Sequence, residues 1–222
     1  MLHLYALADH PVRLPPVQGI GGSALVAVEV EGIDAVLSSS PTTAHEATQE
    51  EILAHAAVVE KLASVNEAVL PARLSRPYEN EIALSEAIRN RGPELRKALD
   101  RVRGCTEMGV RVIRESRSEH PDAVSGGEYM RGRLQEIRAA ERVAEEIHDA
   151  VHAISRAQTQ QVLGSPQLVL SAAYLLPRSE VDSLRTAVEK VGRTRPELTF
   201  ICTGPWPPYS FALVDGSVGE QA

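Results

Sequence analysis

The chain is 222 residues long with 43% hydrophobic residues, enough for one large core or two smaller ones and too apolar for disorder to dominate. Lys plus Arg number 23 against 30 Asp plus Glu, and the resulting charge of −7 argues against a general binder of nucleic-acid backbone. No apolar run approaches the roughly 20 residues that cross a bilayer. Met1–Tyr5 lacks the basic start of a signal peptide, and Cys105 and Cys202 have no metal-ligand spacing. These features predict a cytoplasmic protein with reduced thiols on strands and no membrane span.

In chain order, Leu2–Leu7 predicts a strand, followed by a connection carrying Pro11, Pro15 and Pro16. Gly19, Gly21 and Gly22 precede the apolar stretch Ala24–Val30. They stand before a strand and not at the opening of a helix, so they read as a turn and not a dinucleotide fingerprint. Glu31-Gly32 is a two-residue hairpin signal ahead of Ile33–Leu37. Thr48-x-x-Glu51 is a capping box opening a helix over Thr48–Ala63, with Ile52, Leu53, Ala56, Val59, Leu62 and Ala63 as its apolar face. A short strand, Ala68–Leu74, comes next. Asn80–Val102 is helical in two pieces, because Pro93 suits the first turn of a new helix better than the interior of an old one, and Gly104 closes the second.

A second unit begins at Cys105. Glu107–Ile113 alternates apolar and polar residues as a half-buried strand does, and Ser116–Gly127 reads as an exposed loop. Met130, Leu134, Ile137, Ala140, Ala144, Ile147, Val151 and Ile154 then recur at helical spacing. They predict one helix over about residues 127–161, about 45–50 Å long at 1.5 Å per residue. Gly164-Ser165-Pro166 stops it. Gln167–Leu176 is a strand, Ser179 caps a further helix, and Leu198–Thr203 is a strand leading into Gly204-Pro205-Trp206-Pro207-Pro208-Tyr209-Ser210-Phe211. Phe211–Val214 is a candidate last strand and Asp215–Ala222 a tail. The expected fold is α+β in two domains, residues 1–104 and 105–222, the second built strand–helix–strand–helix–strand like a ferredoxin-like split βαβ unit.

Candidate chemistry is sparse. His148 and His152 stand at i and i+4, the geometry of two zinc ligands on a helix, with Glu141 and Glu145 on the same stripe. The alternative to a binding protein is therefore a metal-dependent hydrolase using His148 and His152. The competing reading is a solvated helix face, and no second Glu-x-x-His pair completes a di-iron site. Ser38, Ser39 and Ser40 lack the glycines of a nucleophile elbow. His45 and His55 are expected to be structural or solvent-facing. Arg89, Arg91, Arg96, Arg101 and Arg103 are interspersed with Glu86, Glu94 and Asp100 and predict a mixed surface. No cofactor is implied.

The segment Gly204–Phe211 holds the only Trp and one of two Phe. Its prolines argue against a helix or a central strand. It reads either as a rigid plug at the end of the second core or as an aromatic anchor for a partner.

That segment resembles the C-terminal signature of the F/L-type gas vesicle protein family (GvpF/GvpL). The resemblance extends to Leu53-Ala54-His55, to Val58-Val59-Glu60-Lys61-Leu62, to Val69-Leu70-Pro71-Ala72-Arg73 and to Gly104–Val112, in the same order over nearly the whole chain. One departure is Leu74-Ser75-Arg76, where the family usually has Phe-Gly-Thr. The resemblance implies two α+β domains, the second a modified ferredoxin-like fold. It also implies a non-enzymatic accessory or minor structural protein of gas vesicle assembly. Its implied partners are the hydrophobic shell-forming gas vesicle protein and other accessory gas vesicle proteins. From these the expected action is to bind the shell protein and limit its aggregation during nucleation. In this reading Gly204, Pro205, Trp206, Pro207, Pro208, Tyr209, Ser210 and Phe211 are structural, and no catalytic residue is implied.

Overall fold

Two antiparallel four-stranded sheets organise the chain. The computed structural model describes residues 1–39, 47–74, 77–114, 126–162 and 168–212. Ser40, His45, residues 116–125 of the expected 116–127 loop, the expected stop at 164–166 and the tail from Asp215 lie outside them, while Gly126 and Gly127 of that loop open a helix instead.

The first sheet has the order β2-β3-β1-β4, with β1 Leu2–Asp9, β2 Val26–Val30, β3 Ile33–Ser39 and β4 Val69–Pro71. Glu31 (φ 51°) and Gly32 (φ 81°) turn the β2–β3 hairpin with both central residues left-handed, as the two-residue signal predicts. A register shift between Leu4 and Ala6 interrupts the β1–β3 ladder and resets the alternation, so that Tyr5 and Ala6 both enter the core. Ile20–Gly22 form a 3-10 turn before β2, with Gly19 as its N-cap. A Cβ at Gly19 would lie 2.3 Å from the Tyr5 hydroxyl, so the close approach needs glycine there.

Three helices cover this sheet. In α1, Gln49–Val65, Glu51 N donates to Thr48 Oγ1 (3.3 Å) and Thr48 N donates to the Glu51 carboxylate (2.9 Å), completing the capping box. Its buried stripe is His55, Val58, Val59 and Leu62. The expected apolar face is therefore only half right: Ile52 and Leu53 are 51% and 61% exposed. The apolar residues of α1 exceed what one face can bury, and tertiary contact selects the stripe that meets β1 and β4. Helices α2, Glu81–Asn90, and α3, Gly92–Val102, divide at Gly92-Pro93 as expected, and pack against β2 and β4 respectively.

The second sheet has the order β6-β7-β5-β8. The chain runs β5 Cys105–Arg114, α4 Gly126–Val151, β6 Ala157–Val162, β7 Leu168–Pro177, α5 Val181–Arg193 and β8 Leu198–Trp206. Met108, Val110 and Val112 of β5, Ala140, Ala144 and Ile147 of α4, Leu170 and Leu176 of β7 and Leu184 and Val188 of α5 share one core. Arg195 and Glu146 join the end of α5 to α4 in an ion pair (Nε–Oε2 3.2 Å).

Three expectations change here. The long helix spans 26 residues, about 39 Å, and not 127–161. It ends at Val151, and Gln158-Thr159-Gln160-Gln161 pairs with β7 in unbroken antiparallel register. This polar stretch has no Gly or Pro to mark the change, and the ladder supplies backbone hydrogen bonds that local propensity does not reveal. Ser179 lies in a 3-10 turn, Arg178–Glu180, and α5 has no side-chain cap. Strand β8 continues through Pro205 and Trp206, which an edge strand tolerates because its outer side needs no donor.

The end of the described chain also differs from expectation. Tyr209–Ala212 is a helical turn, α6, and not a strand. The contacts group residues 206–212 with Met1–Cys105 and set Thr106–Pro205 apart, so the described part of this segment leaves the expected 105–222 unit. Tyr209 packs against the core of the first unit, and Arg101 Nη2 donates to the Phe211 carbonyl at 2.5 Å. The prolines end β8, and the rings then bury themselves on α3 and β4.

Within the second core, Tyr174 is fully buried, and its hydroxyl has no hydrogen-bond partner among the described residues. Replacing Tyr174 by Phe keeps the volume and removes the orphaned hydroxyl. Urea denaturation of Tyr174→Phe is expected to show unchanged stability or a gain of up to about 1 kcal/mol. A loss of that size would reveal a partner for the hydroxyl.

Candidate functional site

The signature segment divides in two. Pro207, Pro208 and Phe211 are buried, and burial, with Glu60 nearby, pushes the Tyr209 phenol up to about 12. Trp206 is 45% exposed. The segment is therefore not a plug in the second core: its buried half belongs to the first unit, and its indole faces partly outward.

A polar cluster lies inside the first unit. The Ala72 carbonyl can only accept, so the hydrogen at 2.9 Å sits on His55 Nε2. Neutral His55 then offers Nδ1 as an acceptor, and His3 Nε2 donates to it at 2.8 Å. The Tyr5 ring stacks on His55 with centroids 5.4 Å apart and meets His3 edge-on at 4.7 Å. Tyr5 Oη accepts from Ile20 N at 2.7 Å and shares a hydrogen bond with Ser38 Oγ at 3.0 Å. Burial, the facing His55 and, in the opposite sense, Glu51 bring the His3 pKa down to about 4, and burial also lowers that of His55. The cluster ties β1, β3, α1 and the chain after β4 together, and its donors are spent on one another. His55 fits the expected structural role. His3 escaped the sequence reading, although His55 shares the i, i+3, i+4, i+7 stripe of Val58, Val59 and Leu62, which marks a histidine facing inward.

The proposed zinc pair is engaged otherwise. The rings of His148 and His152 lie 5.6 Å apart. His148 Nδ1 is 2.7 Å from Gln158 Oε1, and His152 Nδ1 donates to the Asp149 carbonyl at 3.0 Å. Glu141 and Glu145 are exposed, and among the described residues no group of three or more His, Cys, Asp or Glu is placed to hold a metal. Ser38 is buried in its bond to Tyr5, and the Ser39 carbonyl accepts from Ser23. The arginines are distributed among partners: Arg91 with Glu94, Arg96 with Glu31 (3.1 Å each), Arg103 with Asp9 and Asp100.

The surface also carries exposed apolar side chains. Ile52 and Leu53 on α1, Ile82 on α2, Val26 on β2, and Tyr129, Met130 and Leu134 on the first half of α4 are exposed. The packed residues of α4 begin at Ala140, so its first turns carry apolar side chains beyond the part that meets the core. Among the described residues no helix is long and apolar enough to cross a membrane.

Residues 1–213 match the family model described as gas vesicle synthesis protein GvpL/GvpF. Gas vesicle protein F1 of Halobacterium salinarum is 26% identical over 223 residues, covering 99% of this chain and 95% of that protein. Gas vesicle protein L of a Streptomyces species is 30% identical over 182 residues, covering 72% and 67%. The crystal structure of the gas vesicle protein GvpF from Anabaena superposes with a TM-score of 0.81 at 18% identity and covers 99% of both chains, a likeness of fold. The chain belongs to the GvpL/GvpF family of gas vesicle synthesis proteins. That membership supports a role in gas vesicle assembly, with partners among gas vesicle proteins.

Two tests follow from the geometry. An unfolded histidine takes up a proton near pH 6.5, whereas folded His3 resists down to about 4. The unfolded state then binds more protons in that window, so the contribution is complete above pH 6.5 and is lost as pH falls. Denaturation at pH 5.5 should show about 1 kcal/mol less stability than at pH 7.5 from this group. His3→Gln, which keeps a donor, should flatten the slope, and an unchanged slope would refute the assignment. Replacing His148 and His152 by Ala should leave vesicle formation intact; its loss would restore the metal reading.

Proposed function

We propose that the chain is a non-enzymatic accessory protein of gas vesicle assembly. It acts in the cytoplasm and at the gas vesicle, binds the hydrophobic shell-forming gas vesicle protein and limits its aggregation during nucleation. The observation that carries this reading is the apolar surplus of α1, whose Ile52 and Leu53 face solvent while His55, Val58, Val59 and Leu62 fill the core. Exposed apolar side chains near acidic groups such as Glu50 and Glu60 can shield a sticky surface while keeping the complex charged.

The second unit, in this reading, is a modified ferredoxin-like domain beginning near residue 105. Its βαββαβ order and the strand order β6-β7-β5-β8 support this. Gly204–Phe211 serves structure: Pro207, Pro208 and Phe211 are buried, and Arg101 holds the Phe211 carbonyl.

Co-expression tests the proposal. The shell-forming protein should stay in the supernatant and co-purify with this chain, and the double variant Ile52→Ser, Leu53→Ser should weaken capture roughly ten-fold with little loss of stability, since both residues are exposed. If the shell protein precipitates equally with and without this chain, and the two do not co-purify, the proposal fails.

A further inference from the structure

Each of the two sheets ends in two edge strands, and three of the four edges are blunted. Strand β4 is three residues long and ends in Pro71. Strand β8 carries Gly204 and Pro205, and β6 is dominated by Gln and Thr. Short length, proline and polar composition are the usual protections of a sheet edge against another strand.

Strand β2 has none of them. Val26-Ala27-Val28-Glu29-Val30 pairs with β3 in unbroken register from Val26–Leu37 to Val30–Ile33, without a bulge, a proline or a basic residue. Among the described residues its order in the sheet leaves its outer side without a neighbouring strand. Exposure agrees: Val26 is 46% exposed and Ala27 and Glu29 are exposed, whereas Ile33–Ser38 of the neighbouring β3 are all buried. Helix α2 packs against β2, and its exposed Ile82 adds apolar surface on that helix.

We infer that the outer edge of β2 is a docking site for an extended apolar segment of a partner protein, which adds to the first sheet as a fifth strand. The row of outward-facing backbone N–H and C=O groups that an edge strand presents favours an extended chain over a helix. Val26, Val28 and Val30 lie opposite Leu37, Ala35 and Ile33, so they share one face, and the incoming strand must carry β-branched or other apolar side chains there. Glu29 lies on the opposite face, where an incoming Lys or Arg is favoured over an acid. A segment alternating apolar with polar or basic residues satisfies both requirements. The same segment aggregates when its own edges are left open, which is the hazard that strand addition removes.

The inference rests on the assembly reading above, and the shell-forming gas vesicle protein co-expressed with the full chain is the probe. Val26→Lys and Ala27→Lys each place a solvated cation on the edge strand at an exposed position. Both should lower capture of the shell protein roughly ten-fold while melting temperature stays unchanged. In the wild-type complex, hydrogen exchange of the amides in residues 26–30 should slow by roughly ten-fold or more relative to the free chain. Capture at wild-type levels by both variants, or capture by the wild type without added protection at 26–30, overturns the β2 site and leaves the assembly reading standing. No capture by the wild type overturns both.

Discussion

The antiparallel pairing of β1 with β3 is the interaction on which the first unit depends. Both strands are interior to their sheet, and Ile33–Ser38 are buried on both faces, so every polar group that enters with them must find a partner inside. Asp34 accepts from Val12 N at 2.8 Å and pairs with His10 Nδ1 at 3.0 Å. Ser38 shares its bond with Tyr5, and Tyr5 accepts from Ile20 N. These contacts pin the proline-rich crossing between β1 and β2 to the sheet at two points. An orphaned group in any of them would cost about 1–3 kcal/mol, enough to matter in a domain of ordinary stability.

That polar interior explains why the unit's histidines are structural. His3 Nε2 donates to His55 Nδ1 and His55 Nε2 donates to the Ala72 carbonyl, so the two rings hold β1, α1 and the chain after β4 together. Among the described residues, the apolar side chains of α1 that do not enter this interior, Ile52 and Leu53, are left at the surface. The second unit follows the same rule in a different form. Its core takes the later turns of α4, and the earlier turns keep Tyr129, Met130 and Leu134 outside.

Much of the fold was legible because it is governed by short-range rules. The Thr48 capping box, the Glu31-Gly32 turn and the helix start at Pro93 each involve neighbours within a turn, and all three are present. The candidate site was less legible. The apolar face assigned to α1 mixed Ile52 and Leu53 with Val59 and Leu62, because periodicity locates an apolar stripe but not which element will cover it. The overextended helix failed for a related reason: residues 157–162 are polar and free of breakers, and only the presence of β7 alongside makes them a strand. His3 and His55, 52 residues apart, could not be joined by spacing.

The residues written in the chain thus settled where most elements begin, how they turn and cap, and, through Gly204–Phe211 and its companions, which family this is. Tertiary structure decided which apolar stripe is buried, that α6 packs with the first unit, and that β2 stands at the end of its sheet among the described strands. Those outcomes depend on distant segments competing for the same surface, and the free energy of that competition belongs to no local stretch of sequence.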